Sequence, residues 1–439
     1  MRHGSDDVVV LGSGMAAWGA FDRLTAEGLT PRLFDASAHP GGHTASLVED
    51  GFVFDDGPHI SFTSDEEMQG LLAEAVDGAY ETRTAVVDNY YEGHWVKHPA
   101  ITYLHGLPTD LVVRCLEDFI AVHEQPTTRP ETFRDWLLAT YGEAFTDHFP
   151  ARYGRKYHTV DPAQMTTTWL GPRLYRPSLA EVLRGAIAPP EDDKHYISEF
   201  RYPSSGGFQA YLQRFIDRAR PALDHRAVRI DPEQRTVTFA NGHVTGYDHL
   251  ISSVPLPELV GMLPVPARVS EAAARLACTS CVLVNLGVDR DDLSPAHWRY
   301  VYDEDLLPVR LSFPHLLSPD NAPPGHGSIQ VEVYSSDRYR PRERTPEEHV
   351  EPVIADLRRM GVLEPADRIV HRSARLVEYA NVIFDQDSSW APGVVRDHLA
   401  ERGIDVCGRY GDWGYYWTDA SFLSGRRAAQ RVLDRCAAA

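Results

Sequence analysis

At 439 residues the chain exceeds what one hydrophobic core fills, so two domains or one elaborated domain are expected. Its 43% apolar and 24% charged residues are those of a globular protein, and a net charge of −20 argues against a nucleic-acid partner, because backbone phosphates are held by clustered Lys and Arg. No segment approaches the roughly 18 uninterrupted apolar residues of a membrane span, and the opening MRHGSDD lacks the apolar stretch of a secretory signal, so a cytoplasmic location is expected.

Residues 7–11 are a short β-branched apolar run closed by Gly12, the pattern of a buried strand. Residues 15–27 carry Ala, Phe and Leu at helical spacing and end at Gly28, and residues 30–34 form a second strand stopping at Asp35. Strand, glycine turn, helix, strand is the opening of a Rossmann-type unit. From 66 to 200 the pattern is mostly helical. A hairpin is expected around Asn241-Gly242, followed by an apolar strand at 249–253 that stops before Pro255. Residues 278–290, 327–335 and 373–380 read as further strands, and 349–360 as an amphipathic helix closed by Gly361. A strand at 404–407, a Gly/aromatic loop and a helix starting near Thr418 or Asp419 end the chain. The expected architecture is α/β. A Rossmann-like domain comes from 1–75, 200–258 and 400–439, and a mixed α+β substrate domain from 76–199 and 259–399.

Five scattered cysteines imply no disulfide framework. Cys278 and Cys281 form C-x-x-C, but no second pair or His cluster follows, so packing as small hydrophobes is expected. Zinc, P-loop and nucleophile-elbow motifs are not evident, and no metal is expected.

Gly12, Gly14 and Ala17 fit G-x-G-x-x-A. The first Gly makes the turn and the second lets a pyrophosphate approach the backbone. The small third residue lets helix and strand pack closely. Asp35 ends the next strand about 20 residues on, where an acid accepts hydrogen bonds from a ribose. A dinucleotide site is expected; the motif alone does not separate FAD from NAD.

The next residues do. HPGGHTAS at 39–46, with Gly41 and Gly42, resembles the second glycine pair of glutathione-reductase-type flavoproteins. FDDGPHISFTSDEE at 54–67 resembles the GPHIFHT segment of UDP-galactopyranose mutases. YGRKYHTVDPAQMTTTWLGPRLYR at 153–176, YPSSGGF at 202–208 and CGRYGDWGYYWTDASFLSG at 407–425 resemble further segments of the same FAD superfamily. That superfamily holds amine oxidases, protoporphyrinogen oxidases and UDP-galactopyranose mutases, and the resemblance covers 5–260 and 400–435.

The resemblance implies FAD, with Val228 on a strand beside the adenosine half. It implies Gly408 and Arg409 over the flavin, and His59 beside the isoalloxazine. Backbone N–H groups of Ala420 and Ser421 would face the pyrimidine ring, with Asp419 as helix cap. The plain alternative for His59 is a turn residue, and for Arg409 an exposed strand end. Arg173 and Arg176 are spaced like the mutases' substrate arginines, with surface ion pairs as the alternative. Trp413, Tyr415, Tyr416 and Trp417 would wall a ring substrate, or else pack in a core.

Three readings follow. The first is an FAD-dependent oxidoreductase acting on a polar, sugar-like small molecule, such as a nucleotide sugar or another anionic ring compound. The second is a redox-neutral flavin-dependent sugar mutase, and the third a non-catalytic flavoprotein. A plain amine oxidase is disfavoured, because no Lys follows Lys194 to hold a water near the flavin. The mutase pattern has two departures: Phe62 replaces a His, and Trp417 replaces an Asp. Nothing in the sequence sets the oligomeric state.

Overall fold

The computed structural model describes residues 7–123, 130–171, 175–189 and 197–438. One sheet is parallel and four-stranded, in the order Ile404–Val406, His249–Ser252, Val8–Leu11, Arg32–Phe34. Val8–Leu11 is buried at every position, which is why it reads as an unbroken apolar run rather than an alternating one. Val9 pairs with Leu250 on one side and Arg32 on the other, so strands far apart in sequence meet in this sheet. The α/β class with a parallel sheet built from non-contiguous segments is therefore observed as expected.

Two helices, Met15–Ala26 and Thr418–Ala438, lie against each other through glycine. A Cβ on Gly19 would run into the Phe422 carbonyl, and one on Gly425 into the Ala16 carbonyl. The backbones thus approach more closely than side chains would permit. Trp18 and Phe422 meet edge to face at 5.2 Å beside that contact.

The largest sheet has seven strands, in the order Ile369–Val382, Cys278–Val288, Gly327–Ser335, Arg310–Ser312, Trp298–Val301, Val87–Tyr91, His94–Lys97. The three strands expected here are present, the last of them longer than expected. Gly327–Ser335 is buried at every position. Region 66–200 departs from its helical reading: Tyr80–Thr84, Val87–Tyr91 and His94–Lys97 are strands, and a helical layer begins only at Thr109. Pairing of Val87–Tyr91 with Trp298–Val301, more than 200 residues away, supplies the order that local propensity does not signal. A tight turn at Glu92 and Gly93, both at positive φ, reverses the chain there.

The helical layer of Thr109–His123, Phe133–Tyr141, Glu143–His148 and Pro150–Tyr157 closes over Cys115, Phe119, Phe145 and Phe149. Asn241-Gly242 turns the expected hairpin, with Gly242 at φ +86°. None of the five cysteines is in a disulfide, and Cys281 packs with Leu283, Tyr334 and Val377. Among the described residues no helix is long and apolar enough to cross a membrane.

Candidate active site

A cavity of about 1210 Å³ is lined from both the parallel and the seven-stranded sheet. At one end stand Gly12, Ser13, Gly14, Asp35, Gly41 and Gly42. Gly12 is at φ +119°, and a Cβ there would collide with the Ser253 side chain. A Cβ on Gly14 would stand 3.3 Å from the Gly41 carbonyl and 3.6 Å from Gly42 Cα. The two glycine-rich turns thus press together, leaving bare backbone facing the cavity where helix Met15–Ala26 begins. Ala17 is fully buried behind this wall, the packing role expected of the third small residue. Asp35 accepts from Ser13 Oγ at 2.6 Å and from the Ser37 N–H at 2.8 Å, which fixes its carboxylate at the end of the second strand.

Val228 is not part of the wall. The register between Ala227–Asp231 and Thr236–Phe239 shifts at this point, so Val228 is the extra residue of a bulge, with its side chain exposed. Arg226, two residues earlier, lines the cavity instead.

Gly408, at φ +79°, donates its N–H to Ser424 Oγ at 2.9 Å, and a Cβ there would crowd Ala16. This holds Arg409 in the wall. Its guanidinium donates to the carbonyls of Tyr416 (2.8 Å) and Ala380 (3.1 Å) and to Asn381 Oδ1 (3.3 Å), all neutral oxygens. No carboxylate among the described residues pairs with Arg409. His59 Nδ1 lies 2.7 Å from the Gly57 carbonyl, which can only accept, so Nδ1 carries the proton and Nε2 is the acceptor. Burial, with Arg409 and Arg310 nearby, pushes this imidazole down to about 4.

Thr418 and Ser421, in the first turn of the terminal helix, line the cavity. Asp419 Oδ1 accepts from the Ala420 N–H at 2.7 Å within the first turn of the helix, and neither residue is in the wall. Tyr415, Tyr416 and Trp417 form part of the wall, but Trp413 does not. Trp413 is 4% exposed, sits at φ +54°, and packs in the core under the parallel sheet: the sharp turn drives its indole inward. Arg176 also lies outside the wall, exposed, with its guanidinium over the Trp136 ring at 5.0 Å. That stacking holds it away from the cavity. Arg173 falls outside the described residues.

Several wall residues are not among the candidates named from the sequence. Arg310 and Glu332 form a buried ion pair, with Nη2–Oε1 at 2.8 Å, and Tyr334 Oη also donates to Glu332 Oε1 at 2.9 Å. Tyr153, Tyr157, Tyr300 and Tyr302 continue the lining, and Tyr157 Oη donates to Asn381 Oδ1 at 2.9 Å. His43 lies beside Asp56, whose carboxylate is ion-paired with Arg375. Burial, then the charges of His59, Arg409 and Arg375, hold His43 at about 3. Glu332, a charged residue in the otherwise uncharged run SIQVEVYS, was the one available sign of this part of the site.

The family model of flavin-containing amine oxidoreductases matches residues 22–433. Among solved structures, a reduced UDP-galactopyranose mutase is 26% identical, with a TM-score of 0.91 over 98% of this chain and 96% of that one. A protein of Exiguobacterium sp. described as a protoporphyrinogen oxidase is 18% identical, with a TM-score of 0.73 over 98% and 99%. A putrescine oxidase bound to putrescine is 16% identical, with a TM-score of 0.64 over 98% and 99%. Paired glycine turns around bare backbone, an acid at the second strand end and a family match across nearly the whole chain agree: the protein belongs to the flavin-containing amine oxidoreductase family.

Proposed function

We propose that the chain is an FAD-dependent oxidoreductase acting on a hydroxyl-bearing ring compound that carries an anionic group. The residues present fit the cofactor. Side chains at Gly12 and Gly14 would fill the cradle, Asp35 stands where a ribose would bond, and the 21-residue terminal helix turns its positive end to the cavity. FAD, when bound, supplies a hydride acceptor. Gly12, Gly14, Gly41 and Gly42 would hold its pyrophosphate, with Thr418 and Ser421 at the flavin end.

The observation that carries this reading is the His59 imidazole. It is neutral, its tautomer is set by the Gly57 carbonyl, and Nε2 is left as a proton acceptor. With FAD bound to accept the hydride, His59 Nε2 would accept the proton of the substrate hydroxyl. Arg409, whose charge no carboxylate among the described residues neutralises, binds the anionic group. Arg310, locked by Glu332, and the Tyr157 and Tyr415 hydroxyls orient the ring.

The test is anaerobic mixing of holoprotein with a panel of nucleotide sugars while the flavin absorbance is followed. His59→Gln should slow bleaching about 100-fold or more at unchanged FAD content. Failure of every nucleotide sugar to bleach the flavin would remove the oxidoreductase reading.

A second reading, a redox-neutral sugar mutase, is favoured by the likeness to a UDP-galactopyranose mutase over 98% of the chain. It requires chemically reduced holoprotein to convert UDP-galactopyranose with no net change in flavin redox state. His59→Gln would then leave the rate nearly unchanged.

A further inference from the structure

Gln330 is a buried amide in the seven-stranded sheet, 1% exposed on a strand that is buried at every position. Burying an amide is costly unless its hydrogens find acceptors. Here Nε2 donates to Asn285 Oδ1 at 3.0 Å, directly opposite on the neighbouring strand, and to the Asp55 backbone carbonyl at 2.8 Å. A carbonyl can only accept, so the amide is oriented with its nitrogen toward Asp55. The first bond stays within the sheet. The second leaves it for the end of strand Phe52–Asp55, 275 residues away in sequence.

That carbonyl is where the loop carrying His59 begins. It also accepts from the Gly57 N–H at 2.8 Å, and the Gly57 carbonyl lies 2.7 Å from His59 Nδ1. A continuous path of hydrogen bonds thus runs from Gln330 through Asp55 and Gly57 to the imidazole. The Asp55 carboxylate is held separately, by Ser46 Oγ (2.6 Å), Tyr202 Oη (2.8 Å) and the Phe208 N–H (3.0 Å). Arg375, from strand Ile369–Val382 of the same sheet, pairs with Asp56 inside the loop. Two residues beyond Gln330, on the same face of its strand, Glu332 fixes Arg310.

We propose that Gln330 is a positioning residue for His59. It ties the loop that holds the imidazole to the strand that holds the Arg310–Glu332 pair, so the proton acceptor and the ring-orienting arginine keep one spacing. Gln330 does not itself line the cavity, and it acts through the backbone of Asp55 and Gly57. An amide that served only to join strands would need no more than the Asn285 bond. The consequence for turnover rests on His59 being the proton acceptor proposed above; the hold on the His59 tautomer does not.

Gln330→Met keeps the length of the side chain and removes both donated hydrogens. The readout is the pair of His59 ring-nitrogen chemical shifts, by NMR of ligand-free, histidine-labelled holoprotein, with the signal identified by its loss in His59→Gln. Wild type should carry the proton on Nδ1, and Gln330→Met should show a mixture of the two tautomers at unchanged FAD content. Asn285→Val, which cuts only the bond inside the sheet, should keep the proton on Nδ1. With a nucleotide sugar that bleaches the wild-type flavin, Gln330→Met should slow saturated bleaching about tenfold or more at an unchanged half-saturating concentration. A wild-type tautomer in Gln330→Met would overturn the proposal, as would a mixture in Asn285→Val. If Gln330→Met does not fold, Gln330→Met with Asn285→Val, which strands no acceptor between the strands, is read in the same way. Loss of the fold there too would show that the amides serve the sheet and would overturn the proposal. A tautomer mixture with unslowed bleaching would sustain the tie to Gln330 and remove His59 as the proton acceptor, so the two readings fail separately.

Discussion

Arg310 and Glu332 face each other directly across neighbouring antiparallel strands, joined by two charge-assisted hydrogen bonds inside the cavity wall. Both are partners in one register, so neither can be removed without leaving the other's charge stranded. Glu332→Ala should destabilise the protein by about 3–5 kcal/mol, the cost of an unpaired buried guanidinium. Arg310→Met with Glu332→Leu should recover most of that stability yet bind the ring substrate more weakly, because Arg310 no longer orients it while Arg409 remains. Chemical denaturation of the three proteins checks the first part and ligand titration the second.

The helix pair under the parallel sheet gives a steric prediction. A Cβ on Gly425 has nowhere to go except into the Ala16 carbonyl, which is backbone and cannot rotate away. Gly425→Ala should therefore cost about 3 kcal/mol or more, although alanine favours helix. Gly28→Ala meets no neighbour, but Gly28 sits at φ +82°, so its cost is conformational only and should be about 1 kcal/mol. Melting points of the two variants should separate by several degrees.

Asp35 offers a test of the cofactor end that leaves the fold alone. Its carboxylate sits at the rim, and losing a charged acceptor is worth about 1.5–3 kcal/mol, or roughly 10–100-fold in FAD affinity. Asp35→Ala should show that loss when apoprotein is titrated with FAD, with apoprotein stability little changed. An unaltered dissociation constant would mean that the ribose is held elsewhere.

Acid should destabilise the fold, and the sign follows from which state takes up protons. His158 is held at about 3, and His59 and His297 at about 4, against 6.5 for a free imidazole, with burial the leading cause in each. Between pH 6.5 and 4 the unfolded chain binds protons that the folded chain refuses, so stability falls as pH falls. Asp55 acts in the opposite sense: burial raises it to about 6, so below that pH the folded chain gains a proton, and stability, down to pH 3.8. The histidines outnumber it, and the melting point should drop steadily below pH 6.5. His158→Phe should flatten that slope, since it removes one of these buried imidazoles.

The cofactor end was legible in the sequence because its geometry is local. Gly12, Gly14, Gly41 and Gly42 are each required by the backbone within a few residues, and Asp35 by the end of one strand. The substrate end is not local. Arg310 and Glu332 meet only through strand register. Val228 and Trp413 lie off the cavity for a related reason: a one-residue bulge and a single positive φ each turn a side chain away from it. Periodicity has no term for either.

Phe62 and Trp417, the two departures from the mutase pattern, touch each other: their rings meet edge to face at 4.2 Å in the cavity wall. A change at one position therefore constrains the other, and the pair acts as one apolar unit where the mutases carry two polar side chains. Phe62→Ala and Trp417→Ala should each lower stability, but the double variant should lose less than their sum, by about 0.5–1.5 kcal/mol. The functional consequence separates the two readings of the site. If the pair excludes water from an oxidation that uses His59, opening it with Trp417→Ala should slow substrate-driven flavin bleaching. If the chemistry is that of a mutase, Phe62→His with Trp417→Asp should raise turnover of UDP-galactopyranose by the reduced holoprotein, while each single change, leaving a polar group against an aromatic face, should lower it.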